Sequence, residues 1–458
     1  MYALLRALAG VALRWFYRSI QVEGCDRIPR RGAVLFVVNH PNALVDALLV
    51  GWVVPRRVLL TAKATIFGNP VAAMLLRWVG VVPLRRASDE KTAQGHIDRS
   101  RNEDTFLAVR QALQSGKAVL IFPEGKSHDE PAMAPLRTGA ARMALDACGS
   151  GAAPMLAIVP IGLTFERKDT PRTRVLVQIG EPLRMEQWCA AQHARPVEDL
   201  TGEIDARLRA VTLNYTSAEE AARTVRLAST IAALIEPSRP LGEVDRELGV
   251  ETGIARRIEE LSVSLNTADP ELRSRADAVV ERLEALHRVA SARGIPLDDI
   301  GIDLSVRAGL RFTLREGWLL LAAGPIALWG RLNHLIPFRA AEAIATRSVD
   351  SAADPAMRTL IAGTALVAIA YLAQTVVVGV LTTPLIAILY LASLPLAADV
   401  NFLLSDRLRR AARRARAFFL LSADRDLREA LTSELALLRA EVLALDDAFS
   451  AERAATDA

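Results

Sequence analysis

A histidine and an aspartate, His40 and Asp46, stand six positions apart in the run Val37 to Leu49, V-V-N-H-P-N-A-L-V-D-A-L-L. A neutral imidazole within reach of a hydroxyl can take its proton as the oxygen attacks. A carboxylate on the other ring nitrogen fixes the tautomer and stabilises the imidazolium as it forms. On one continuous helix, six positions leave the two side chains about 240° apart. The chain must therefore turn between them, and Pro41-Asn42 is the place, since proline is tolerated at the first helical position. An apolar run rich in β-branched residues, Val34 to Val38, leads in and a helical run, Leu44 to Val53, leads out. His40 is expected on the loop and Asp46 on the first turns of the helix.

Three further patches could take part in the same chemistry. Gly80 to Arg86, G-V-V-P-L-R-R, reads as a strand ending in two arginines. Alternation along a strand leaves only one of Arg85 and Arg86 pointing inward. Ile121 to His128, I-F-P-E-G-K-S-H, runs a strand into a tight Pro123-Glu124-Gly125 turn that offers N–H groups, a carboxylate and a lysine. Ile158 to Gly162, I-V-P-I-G, is another strand with a proline. Arg86 and the Gly125-Lys126 turn are of the types that bind phosphate. Glu124 cannot hold a phosphate itself and is expected to orient Arg86 or Lys126, or to accept from a substrate hydroxyl.

Other chemistries are set aside. Ser127-His128-Asp129 has the order of a hydrolytic triad, but three consecutive residues cannot bring their side-chain tips together. His96, His193, His287 and His334 have no ligand-spaced partners, so no metal site is expected. Cys25, Cys148 and Cys189 show no CxxC spacing and fit a reducing compartment.

The elements that must position these residues follow from patterning. Short apolar runs (Ala33–Val38, Arg57–Thr61, Val81–Leu84, Ala118–Phe122, Met155–Thr164, Arg174–Ile179) alternate with helical ones (Ala43–Val53, Pro70–Val79, Arg101–Gln114, Gly139–Cys148). That alternation predicts an α/β domain over residues 21–215, a mixed sheet flanked by helices. Residues 1–20 carry Arg6, Arg14 and Arg18 among leucines and aromatics, the pattern of an amphipathic membrane-surface helix. Residues 216–316 read as a charged helical extension without a chemical motif.

Of the 458 residues, 51% are hydrophobic, and the formal net charge is +4. The mean hydropathy of +0.22 points to partial membrane residence. Residues 317–400 carry that signal. Leu360 to Ala398 holds no charged residue, about twice the length one span needs. Thr382-Thr383-Pro384 near its middle predicts a transmembrane helical hairpin over 359–398. Gly317–Gly330 is short for a span, so 317–337 is expected to be re-entrant or interfacial. Arg347 and Arg358 before the hairpin, and Arg407 to Arg416 after it, predict an even number of crossings with both ends cytoplasmic. Residues 401–458 form a basic segment and a tail helix. Leu427, Leu431, Leu435, Leu438, Val442 and Leu445 make one stripe there, suited to a neighbouring helix or to self-association.

At its four patches the chain resembles the glycerolipid acyltransferase superfamily, which esterifies glycerol 3-phosphate or lysophosphatidic acid. That family carries an N-H-x4-D block, a G-x5-R block, an F-P-E-G-[TS]-R block and a V-P-[IV] block in this order. Here they fall at Asn39-His40 with Asp46, Gly80 to Arg86, Phe122 to Ser127, and Val159 to Ile161. Two departures stand out: the first block is H-x5-D, and Ser127 stands where the third block has arginine. Both resemble the branch with the fungal glycerol 3-phosphate or dihydroxyacetone phosphate acyltransferases and their bacterial relatives. Pro135-Leu136-Arg137-Thr138-Gly139 and Gly180-Glu181-Pro182 match that branch too.

The resemblance implies a membrane acyltransferase of phospholipid synthesis, with His40 as general base and Asp46 as its partner; abundant Ala and Arg with little Lys suggest a GC-rich bacterial source. Arg86, Glu124, Gly125, Lys126, Ser127 and Arg137 would contact the acceptor, Arg137 standing in for the missing third-block arginine. No cofactor is implied; acyl-CoA or acyl-carrier protein would be the co-substrate. The implied partners are that thioester donor, a glycerol phosphate or lysophospholipid acceptor and the lipid bilayer, and not nucleic acid. The implied location is the inner membrane, with the active site on the cytoplasmic face. Two other readings stay open: acylation of another lipid such as an amino-acid lipid, and a non-catalytic lipid-binding membrane protein.

Overall fold

The computed structural model describes residues 2–63, 82–84, 100–149, 155–235, 246–265, 269–347 and 355–456. The chain divides into two compact units, Met1–Ser217 with Ile344–Thr364, and Ala218–Ala343 with Ala365–Ala458.

The first unit is a mixed sheet between helical layers. Its strands are β1 (Ser19–Glu23), β2 (Val34–Val38), β3 (Val58–Leu59), β6 (Ala118–Ile121), β7 (Ala157–Phe165), β8 (Arg174–Ile179) and β9 (Leu183–Arg184). They pair in the order β1-β8-β7-β2-β6-β3, with β9 on β7. β2 runs parallel to both β6 and β7, while β7 and β8 are antiparallel. Two strands outside this sheet, β4 (Thr61–Lys63) and β5 (Val82–Leu84), pair in parallel.

The apolar run Val34 to Val38 is continuous because β2 is covered on both faces, as central parallel strands are. Val34, Phe36 and Val38 pack against Leu13 of α1 (Tyr2–Phe16) and Val45, Leu49 and Val50 of α2 (Ala43–Val53). Leu35 and Val37 face the opposite core. There lie Val109 and Leu113 of α3 (Ser100–Gln114), Ala141 and Ala144 of α4 (Gly139–Gly149), Met185 of α5 (Met185–Ala190), and Leu200 and Ile204 of α6 (Pro196–Arg209).

α1 lies on α2. Arg6 donates from Nε and Nη2 to the Trp52 carbonyl at 3.0 and 2.8 Å. Gly10 lets the helices close up, since a Cβ there would lie 2.3 Å from the Trp52 indole nitrogen. Leu13 and Phe16 are buried against the sheet, while Leu4 and Leu8 remain exposed on the other side.

The second unit is helical. α7 (Ala218–Ile235), α8 (Leu248–Leu265) and α9 (Pro270–Arg293) precede α10 (Val306–Arg347), α11 (Pro355–Leu381), α12 (Pro384–Ala423) and α13 (Arg425–Thr456), of which the end of α10 from Ile344 and the start of α11 up to Thr364 belong to the first unit. α10, α11 and α12 are long and apolar enough to cross a membrane. Residues 317–337, read from the sequence as re-entrant or interfacial, lie inside the unbroken α10. The turn between α11 and α12 falls at Thr382-Thr383, where the Thr383 hydroxyl accepts from Ile386 N–H and Pro384 takes the first helical position.

The stripe on α13 packs within its own unit. Leu431, Leu438, Leu445 and Phe449 are buried in this unit's own core with Leu283 and Leu286 of α9 and Ala417 and Leu421 of α12.

Candidate active site

β2 and β6 are parallel neighbours, with Val37 opposite Ile121. Their carboxyl ends therefore open side by side, which is where open α/β sheets place their sites. β2 delivers Asn39-His40-Pro41-Asn42, and β6 delivers Phe122 to His128. Two of the four sequence patches are brought together by this register alone.

Asn39 locks the first loop to the sheet. Its amide donates to the Leu163 carbonyl at 3.1 Å and accepts the Leu163 N–H at 2.7 Å. The chain then turns, and α2 begins at Ala43, a non-glycine residue at φ 42°. An L-residue in that region is strained. The Ala43 N–H is held by the Ser127 hydroxyl at 3.2 Å.

The turn returns Asp46 to His40. Asp46 Oδ2 lies 3.0 Å from His40 Nδ1 and also accepts the Asn42 N–H at 2.7 Å. This resembles a capping box reaching back to the N-cap residue. Asp46 is fully buried and His40 nearly so, with 12% of its side chain exposed. Burial pushes the Asp46 carboxyl above the ordinary carboxylate range, and contact with His40 opposes that shift. Asp46 Oδ1 is buried without a hydrogen-bond partner. With Nδ1–H on Asp46, the neutral tautomer leaves Nε2 as a proton acceptor. The Phe122 ring stacks on the imidazole at 3.8 Å between centroids and 11° between planes, covering one face of it.

Glu124 is the second anchor. Its Oε1 accepts the His40 N–H at 2.7 Å, and its Oε2 accepts the Ala134 N–H at 2.7 Å and is paired with His128 Nε2. His128 Nδ1 accepts the Glu130 N–H at 3.2 Å, and Nε2 faces a carboxylate oxygen that can only accept, which together place the proton on Nε2. Both oxygens of Glu124 are thus engaged by protein donors.

Ser127, His128 and Asp129 point to three different partners: Ala43, Glu124 and Lys168. Lys168 also donates to the Pro41 carbonyl at 2.7 Å. The Asn42 amide nitrogen donates to the Tyr17 hydroxyl at 3.1 Å and the Lys168 carbonyl at 3.2 Å. Burial pushes the Tyr17 phenol well above its usual range.

The candidate acceptor groups divide. Lys126 and Arg137 are exposed. Gly125 has φ 78°, and a Cβ there would lie 2.6 Å from Arg137 Nε, so the Arg137 side chain rests over this turn. The Gly125 N–H closes the turn onto the Phe122 carbonyl at 3.1 Å rather than pointing outward. Arg86 lies outside the described residues. No cluster of three or more metal-ligating side chains occurs among the described residues.

Sequence reasoning missed Asn39 as a clamp, Phe122 as the stacking partner, His128 as the partner of Glu124, and Lys168. Asn39 and His128 sit inside quoted motifs. Lys168 carried no local signal, because its loop meets Pro41 only in the folded sheet.

Residues 19–164 match the model of the acyltransferase family. That segment is similar to acyltransferase domains. Within it lie His40, Asp46 and the whole Phe122 to His128 turn. The chain is 36% identical over 88 residues to glycerol-3-phosphate O-acyltransferase 2 of Saccharomyces cerevisiae, covering 19% of this chain and 12% of that protein. It is 23% identical over 319 residues to glycerol-3-phosphate O-acyltransferase 1 of the same yeast, covering 51% and 42%. It is 24% identical over 189 residues to 1-acyl-sn-glycerol-3-phosphate acyltransferase of Cocos nucifera, covering 40% and 55%. The matches span only part of each relative's length.

Proposed function

We propose that the chain is a membrane-associated O-acyltransferase. It moves a fatty acyl group from a thioester, acyl-CoA or acyl-carrier protein, to a hydroxyl of glycerol 3-phosphate or lysophosphatidic acid. The observation that carries this reading is the buried His40–Asp46 contact inside a segment similar to acyltransferase domains, with His40 Nε2 left to accept a proton.

In the proposed reaction, His40 Nε2 takes the acceptor hydroxyl proton as the oxygen attacks the thioester carbonyl. The tetrahedral intermediate collapses, the C–S bond breaks, and the imidazolium returns the proton to the departing thiolate. No acyl-enzyme is needed, because the acyl group arrives already activated. Asp46 holds Nδ1–H and stabilises the imidazolium. Glu124, carrying His128, holds the His40 backbone in place and acts as a positioning residue.

Lys126 and Arg137 are the described cations suited to the acceptor phosphate, with Arg86 as the third candidate. Active-site placement at the cytoplasmic face fits a water-soluble thioester donor. The test is an acceptor panel: purified full-length chain with labelled acyl-CoA or acyl-carrier protein and either glycerol 3-phosphate, lysophosphatidic acid, other lysophospholipids or an amino-acid lipid. Transfer to a phosphate-bearing glycerol acceptor supports the reading. Transfer to the amino-acid lipid alone would replace the acceptor, and lipid binding without turnover would overturn the enzyme reading.

A further inference from the structure

The second unit carries a surface that the acyl-transfer chemistry does not use. Over its first turns, α10 exposes Val306, Leu310, Leu314, Trp318 and Leu321, at 85, 58, 63, 70 and 73%. Their spacing of four, four, four and three keeps them on one stripe of the helix. Arg307, Arg311 and Arg315 are exposed as well, each one position further on and so about 100° round from the first three of these residues. A helix with an apolar stripe, an arginine flank and a tryptophan at its inner end has the build of an interfacial helix. Here the stripe continues into the apolar length of the same helix.

A second basic element is fastened to this one. Arg407 of α12 forms a two-pronged pair with Glu316 of α10, at 2.7 Å from Nε and 2.9 Å from Nη2. Glu316 is nearly buried, and Arg315 also reaches it at 2.9 Å. One acid is thus ringed by arginines of both helices, which sets the basic stretch of α12 beside the start of α10. Beyond Arg407, Arg409, Arg413 and Arg416 are exposed, at spacings of four and three on one face. Arg409 reaches Asp406 at 2.9 Å yet keeps 64% of its side chain exposed. Exposed Phe419 lies at the edge of that face.

From this arrangement we propose that the start of α10 and the basic stretch of α12 form one docking surface for the phosphate headgroups of anionic phospholipids in a bilayer. The apolar stripe sits at the acyl-chain boundary, and the arginines meet the phosphates above it. Guanidinium groups suit this task because they present planar, paired donors to phosphate oxygens. The inference is independent of the acyl-transfer reading. It rests on the second unit lying in a membrane.

The test uses the full-length chain in phosphatidylcholine vesicles containing spin-labelled phosphatidylglycerol or spin-labelled phosphatidylcholine. The readout is the ratio of the two labels in the motionally restricted shell around the protein. Each arginine near an anionic surface is worth about five-fold in partition, so the native chain should prefer phosphatidylglycerol several-fold. Replacing Arg307, Arg311, Arg409 and Arg413 by glutamine should bring the ratio close to one, with helicity by circular dichroism unchanged. Replacing the same four by lysine should retain most of the preference. A native ratio of one, or a glutamine variant that keeps the preference, would overturn the proposal. So would equal loss of preference in the native chain with inorganic phosphate but not with chloride of equal ionic strength, since the site would then be one for free anions.

Discussion

Glu124 Oε1 accepts the backbone N–H of His40 at 2.7 Å, so the candidate base is held by its main chain as well as by its ring. The carboxylate that does this comes from the neighbouring strand exit, and its other oxygen carries the Ala134 N–H and the His128 ring. Asp46 orients the imidazole, while Glu124 fixes where the imidazole begins. The prediction is a split in kinetics. In Glu124→Gln, the amide NH2 must face one of these donors, and the His40 loop should shift. We expect kcat to fall about 10- to 100-fold, as for lost positioning, with the KM for the acceptor changed less than about three-fold. A raised acceptor KM at unchanged kcat would instead make Glu124 a substrate ligand.

Ala43 carries positive φ at the start of α2, and Ser127 holds its N–H. Ala43→Gly should therefore relieve strain and cost little or nothing in stability, against the loss of about 0.5–1 kcal/mol usual for glycine in a helix. Ser127→Ala should cost about 1 kcal/mol by removing the acceptor. Thermal unfolding of the full chain in detergent measures both, and a clear loss in Ala43→Gly would contradict the strain.

Gly125 is fixed by a backbone angle and by a neighbour, φ 78° and the Arg137 side chain. Gly125→Ala should lower both stability and turnover, by about 1–3 kcal/mol in stability. Arg137→Ala should rescue part of the stability, because the clash disappears while the φ strain stays. A double variant no better than Gly125→Ala alone would show that Arg137 yields freely.

The sign of the pH effect at Asp46 follows from its raised pKa. An acid whose pKa is higher folded than unfolded favours folding most when protonated. Its contribution is present at low pH and is lost as pH rises from the unfolded value, about 3.9, through the raised folded one. The native chain should therefore gain stability relative to Asp46→Asn as pH falls toward 4. Urea midpoints of both chains across acidic pH check this. The opposite trend would mean that the ion pair with a charged His40 outweighs burial.

Much of the domain was legible because its cause is local. The runs Val34 to Val38 and Ala118 to Ile121 are strands covered on both faces, and such strands announce themselves as continuous apolar runs. The His40–Asp46 contact followed from spacing and a Pro-Asn turn. What stayed hidden depends on partners distant in sequence. β1, with Gln21 and Glu23 among its residues, becomes a strand only by pairing with β8. Arg331, Asn333 and His334 break the apolar count along α10, yet the helix continues because the polar side chains of two of them are satisfied inside their own unit. Asn333 Oδ1 accepts from the Tyr390 hydroxyl at 2.6 Å, and His334 Nε2 lies 2.6 Å from the Tyr371 hydroxyl. The leucine stripe of α13 fits a partner in another chain as well as one in its own, and only the fold shows that α9 and α12 cover it.

The proposed reaction turns on His40 as the base, so the most direct measurement is acyl transfer from labelled acyl thioester to glycerol 3-phosphate or lysophosphatidic acid by native chain and His40→Ala, matched for helicity and thermal unfolding. Loss of the base should lower kcat on the order of 10²–10⁴-fold while the folded state is retained. Transfer by folded His40→Ala within about three-fold of native would contradict it.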